Sequence, residues 1–170
     1  RRRCALACRS VASNPDPTLQ VAGLSGTTRS LDDWMTMFHL CLVVLPDDPA
    51  AARFLPVVEN LTRVLGDSDV RIVALWPSTV PLARRVLGDF AEENLVFVDP
   101  NKELIASLGI KKLPALVHLR QDTTLAGIAE GWDAAEWQKV ADDLAEAMSW
   151  SNAEVDAGAA PAGSVSWPVE

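Results

Sequence analysis

The sequence predicts an α/β protein: a mixed central sheet, made of parallel βαβ units and a C-terminal β-hairpin, with helices on both faces. Three observations carry that expectation. The run Phe38-His39-Leu40-Cys41-Leu42-Val43-Val44-Leu45 is almost unbroken apolar, the pattern of a strand buried on both faces. The next stretch sets Phe54, Val57, Val58, Leu61, Val64 and Leu65 on one helical face. Further along, strand-like and helix-like segments alternate until residues 115–119 and 124–129 meet across Gln121-Asp122-Thr123, a hairpin connection.

Each element has a local reason. Residues 18–21 form a short strand, and Gly23-Leu24-Ser25-Gly26 a turn after it. Residues 30–34 form one helical turn leading into the strand at Phe38. Pro46-Asp47-Asp48-Pro49 stops that strand. Asp48 can cap the following helix, with Pro49 at its first position and Gly66 closing it. Residues 70–76 read as a second buried strand, broken by Pro77. Residues 80–90 carry Leu82, Val86, Leu87 and Phe90 at helical spacing. Residues 95–98 form a third strand before Asp99-Pro100, and residues 101–108 a short helix ending at Gly109. The last helix starts at Asp133, with Glu136 three residues on completing a capping box. Its apolar stripe is Trp137, Val140, Ala141, Leu144 and Met148.

The expected organisation is a disordered or targeting leader over residues 1–16, one domain over 17–150, and a disordered Ala/Gly/Ser/Pro tail over 151–170. In that tail Trp167 is read as a stray aromatic, with a partner anchor as the alternative. The formal charge is −8 over 170 residues; Arg1, Arg2, Arg3 and Arg9 stand in the first fifteen, leaving −12 on the rest. An acidic body argues against nucleic acid or an anionic membrane as partner, since both need a basic surface. No apolar run approaches the ~20 residues of a membrane-spanning helix. The cysteines, Cys4, Cys8 and Cys41, form no disulfide framework, which points to a reducing, cytoplasmic setting. The Arg-rich start leaves an organellar, chloroplast-type transit peptide open as the alternative.

The order of elements, with Lys112-Leu113-Pro114-Ala115-Leu116-Val117 opening the hairpin, resembles the thioredoxin-like superfamily, and most closely its TlpA and peroxiredoxin-like branch. Gly26-Thr27-Thr28-Arg29-Ser30-Leu31 before the core strand, Val96-Phe97-Val98-Asp99-Pro100, Gly109-Ile110 with Leu113-Pro114, and Gly131 before the last helix carry the resemblance over residues 17–150. It implies a thioredoxin-like fold with a cis peptide bond at Pro114 facing the helix start at Asp48. It also implies where a Cys-x-x-Cys pair would stand. Pro56 resembles the proline that kinks the first long helix, and counting back puts the two positions at Asp48 and Ala51. Neither carries a thiol. The buried acid of such sites would fall at Leu42, and a peroxiredoxin-type spacing from Pro46 reaches Arg53, so those chemistries lack their groups too.

What remains are weaker candidates. Cys41 lies mid-strand, where a small buried core residue is expected; if the hairpin strand runs beside it, His118 becomes a cross-strand neighbour and a Cys–His pair could activate a nucleophile. His39 and His118, the only histidines, make no metal-ligand spacing with the cysteines, and no cofactor is implied. Asp47 and Asp48 could act as a carboxylate pair, but adjacent turn aspartates ordinarily cap or stay solvated. Arg84, Arg85, Lys111 and Lys112 read as solvated faces. Two functions follow. The favoured one is a non-catalytic module that binds a protein or extended peptide through an exposed apolar groove of Asp47, Asp48, Pro49, Trp76, Leu113 and Pro114. The other is a divergent thiol oxidoreductase, exchanging disulfides or reducing peroxide with Cys41, Cys8 or a partner's thiol.

Overall fold

The computed structural model describes residues 12–151, 153–161 and 163–169. The chain opens with a hairpin, β1 (Gln20–Gly23) and β2 (Thr28–Ser30), then α1 (Leu31–Met35) and β3 (His39–Val44). A 3-10 helix (Pro49–Phe54) runs into α2 (Leu55–Leu65), followed by β4 (Val70–Trp76), α3 (Val80–Leu87), α4 (Asp89–Glu93), β5 (Val96–Val98) and α5 (Glu103–Leu108). Next come β6 (Lys112–Leu113), β7 (Ala115–Leu119), β8 (Leu125–Glu130) and α6 (Ala134–Ala147), and the described chain closes with a 3-10 turn (Ala157–Ala159) and β9 (Trp167–Pro168).

Seven strands make one mixed sheet in the order β2-β1-β5-β4-β3-β7-β8. β3, β4 and β5 are parallel neighbours, while β7 lies antiparallel to both β3 and β8. β3 is therefore central, and its five residues from Leu40 to Val44 are all buried, as its continuous apolar run requires. Alternation across the sheet divides the core in two. Val43, Leu45, Phe54, Leu61, Trp137 and Leu144 pack on one face, and Leu31, Met35, Leu42, Leu104 and Leu108 on the other.

Four local expectations change. Residues 49–65 are not one uniform helix: Pro56 has no N–H to offer the Ala52 carbonyl, which instead accepts from Leu55, so the first turns wind as 3-10. Residues 80–90 split at Gly88, whose φ of +54° suits glycine and ends α3. β2 is an added strand, paired to β1 through Val21 and Arg29. Finally, the ends are attached where disorder was expected. Ser13 N–H donates to the Leu108 carbonyl at 3.1 Å, and Asn14 Oδ1 accepts from Leu125 N–H at 2.9 Å. In the 151–170 stretch Ala153 and Val155 are buried, Asp156 N–H donates to Asn60 Oδ1 at 2.9 Å, and Trp167 meets the Phe54 ring edge-on at 6.0 Å. A low-complexity stretch lacks periodicity of its own, but here it covers apolar surface that the domain leaves bare. Residues 1–11, with Cys4 and Cys8, lie outside the described residues.

Candidate functional site

At the carboxyl end of β3, Pro46 turns the chain outward and Asp48 caps the 3-10 helix, its carboxylate accepting from Ala50 N–H at 2.8 Å. Such a cap is typically worth ~1 kcal/mol. Asp47 is exposed and Asp48 half-buried, and no thiol stands at Asp48 or Ala51. The turn borders two hollows. One, of about 460 Å³, is lined by Asp47, Asp48, Pro49, Trp76, Leu82, Arg85 and Val86. The other, of about 220 Å³, lies between Asp47, Asp48, Pro77 and Lys102 on one side and Leu113, Trp167, Pro168 and Val169 on the other.

The candidate binding residues are thus split rather than joined in one groove. Asp47 and Asp48 border both hollows, Pro49 and Trp76 the first, and Leu113 the second. The exposed apolar groove expected at Trp76, Pro49 and Leu113 is corrected: Trp76 is 1% and Leu113 3% exposed, and only Pro49 faces solvent. Leu113 packs into the core cluster with Leu31, Leu42 and Leu104, and β9 pairs beside it through β6. The peptide bond between Leu113 and Pro114 is cis, and Pro114 is buried. Sequence reasoning gave Arg85 a solvated face, Val86 a helical stripe and Trp167 a place in the tail, and set none of them at this turn. α3 turns Arg85 toward the acidic turn, and only the tryptophan in an otherwise small-residue stretch signalled β9.

At the opposite end of β3 the histidines come together. Cys41 stands directly across from His118 in the β3–β7 ladder. His118, however, bonds His39 instead, with Nε2 at 2.9 Å from His39 Nδ1. Burial, then the neighbouring His39 and Arg120, push His118 down to about 4. Burial lowers His39 as well, partly opposed by Asp69. Burial pushes the Cys41 thiol up to about 12, so it is held as the unreactive thiol. Among the described residues no group of three or more His, Cys, Asp or Glu could hold a metal ion. No described helix is long and apolar enough to cross a membrane.

No family model matches the sequence, and no curated protein does. Solved structures do match the fold. A secreted Mycobacterium tuberculosis disulfide oxidoreductase homologous to E. coli DsbE aligns with 76% of this chain and 96% of its own, at TM-score 0.59 and 15% identity. The thioredoxin domain of a thiol-disulfide oxidoreductase from Bacteroides vulgatus aligns over 78% and 96%, at 0.61 and 11%. A cysteine-to-serine mutant of the peroxiredoxin 6 of Arenicola marina aligns over 79% and 70%, at 0.60 and 15%. The class is therefore a thioredoxin-like fold. Within it, this chain carries aspartate and alanine where the resemblance implies paired thiols.

Proposed function

We propose that this protein is a non-catalytic thioredoxin-like domain that grips an extended protein segment beside Pro114. One observation carries the reading: the helix start below the sheet's carboxyl end holds Asp48 as a cap, while Cys41, the cysteine of the described chain, is 1% exposed with its thiol near 12. A capped helix end has its donor already satisfied, so the surface is stable rather than poised for nucleophilic attack. The acidic body, carrying −12 of charge once the Arg-rich first fifteen residues are set aside, favours a protein partner over nucleic acid.

The second reading, a thiol oxidoreductase, rests on the Cys41–His118 register. The His118–His39 bond and the burial of the thiol count against it. Site-by-site alkylation of the native protein from pH 5 to 9, resolved by mass spectrometry, separates the two. The binding reading expects Cys41 to stay protected and Cys4 and Cys8 to react as ordinary peptide thiols. A cysteine that reacts fast below pH 7 overturns it, and peroxide and disulfide substrates are then tried on that residue.

A further inference from the structure

β6 is a two-residue strand outside the seven-stranded sheet, and among the described residues its ladder partner is β9. Lys112 faces Pro168 and Leu113 faces Trp167 in antiparallel register, and Val169 N–H donates to the Lys111 carbonyl at 3.0 Å. Just upstream Val165 and Trp132 exchange both backbone hydrogen bonds, at 2.7 and 3.2 Å. Gly131 beside them has φ +75°, and a Cβ there would meet Ser166 Cβ at 3.2 Å, so the backbone is shaped to let this strand approach. Trp167 then reaches down to Phe54 in the core. From Ala157 to Val169 the stretch carries no charged residue, although the rest of the body is acidic.

These features describe a ligand seated in a site. An extended segment adds to a short free strand by main-chain hydrogen bonds, an aromatic side chain drops into an apolar slot, and the register is fixed by both. We infer that residues 164–169 are an intramolecular ligand that occupies the peptide groove beside Pro114, and that the external partner is an uncharged extended segment with an aromatic-proline pair in the register of Trp167-Pro168. This rests on the binding role proposed above and specifies its ligand and its control: the partner enters by displacing the chain's own strand. Displacement is feasible because the strand is two residues long, Pro168 is exposed, and Trp167, Val165 and Val169 are only half-buried. Short, solvent-accessible pairings of this kind open locally without unfolding the domain. The hollow left between Asp47, Pro77, Lys102 and β9 gives an incoming chain a place to begin.

The test uses a fluorescein-labelled peptide with the sequence of residues 163–169, read by anisotropy, and three forms of the full chain, all with Cys4 and Cys8 replaced by serine. The forms are the otherwise unaltered chain, Trp167→Ala, and a locked chain carrying Lys112→Cys with Pro168→Cys. Those two residues are directly opposed in the ladder, within the reach of a disulfide. Circular dichroism confirms that each form is folded. The expected result is binding to Trp167→Ala at least tenfold tighter than to the unaltered chain, none to the oxidised lock, and recovery to the unaltered level when the lock is reduced. Equal binding to all three overturns the intramolecular ligand while leaving a peptide-binding surface elsewhere in place. No binding to folded Trp167→Ala overturns the inferred ligand. The binding role itself falls if a displayed library of random peptides also yields no binder to that variant.

Discussion

The two ends of β3 hold the two sets of residues that could do chemistry, and they are built on opposite principles. At the carboxyl end, Asp47 and Asp48 sit in a turn open to water, beside hollows that the two-residue strand β9 helps to line. At the amino end, roughly 20 Å away for a six-residue strand, Cys41 and His118 are shut from solvent with the half-buried His39 bonded to His118. Reactive residue types are concentrated where access is poor, and access is good where the residues are inert. The sequence left Cys41 and His118 as the weaker candidates, and their burial sets them further apart from the open turn.

The largest contrast should appear in thiol reactivity. An Asp48→Cys variant places a thiol at the open end, where an ordinary or lowered pKa makes it react more than ~1000-fold faster with iodoacetamide at pH 7 than Cys41 does, since a thiol near 12 is almost entirely protonated. Comparable rates at the two positions would erase the distinction between the ends. Next comes Phe54→Ala. It removes a fully buried ring that contacts both Trp132 and Trp167, and should cost ~3–5 kcal/mol in urea denaturation. It should also loosen residues 164–169 to proteolysis.

The amino end should instead respond to acid. His118 binds its proton less readily folded than unfolded, so the unfolded chain takes up the proton first. The stabilisation is full above pH 6.5, the ordinary value, and is lost as pH falls from there to about 4. Arg120 and His39 oppose the charge, while Asp143 and, at His39, Asp69 favour it. The loss should be ~2 kcal/mol, allowing for water at the half-buried His39. Urea midpoints from pH 7.5 to 4 measure it, and a His118→Phe variant that keeps the whole slope would place its origin elsewhere. The smallest effect is at the capped turn: Asp48→Ala should cost ~1 kcal/mol, and a neutral result would mean that water serves the Ala50 N–H equally well.

Much of the fold was legible from the chain. The doubly buried strand, the caps at Asp48 and Asp133, and the hairpin around residue 122 are local patterns that secondary structure obeys directly. The site was legible only as an absence of thiols at Asp48 and Ala51. Other features escaped, among them the 3-10 start at Pro49 and the added strand β2. The break at Gly88 was hidden because the apolar spacing runs through it unchanged. The docking of residues 153–161 and 163–169 was hidden because small residues and prolines show no periodicity, and their order comes from surface supplied by Phe54, Trp132 and Leu113 far away in sequence.

By itself, then, the sequence determined the central strand, the hairpin and the lack of a thiol at the helix start, since each depends on neighbours within a few positions. Only the tertiary structure decided that Cys41 is sealed, that His118 turns to His39, and that Leu113 pairs with β9. Burial, register and the covering of an edge are relations between segments distant in the chain, and they emerge when the sheet closes its core.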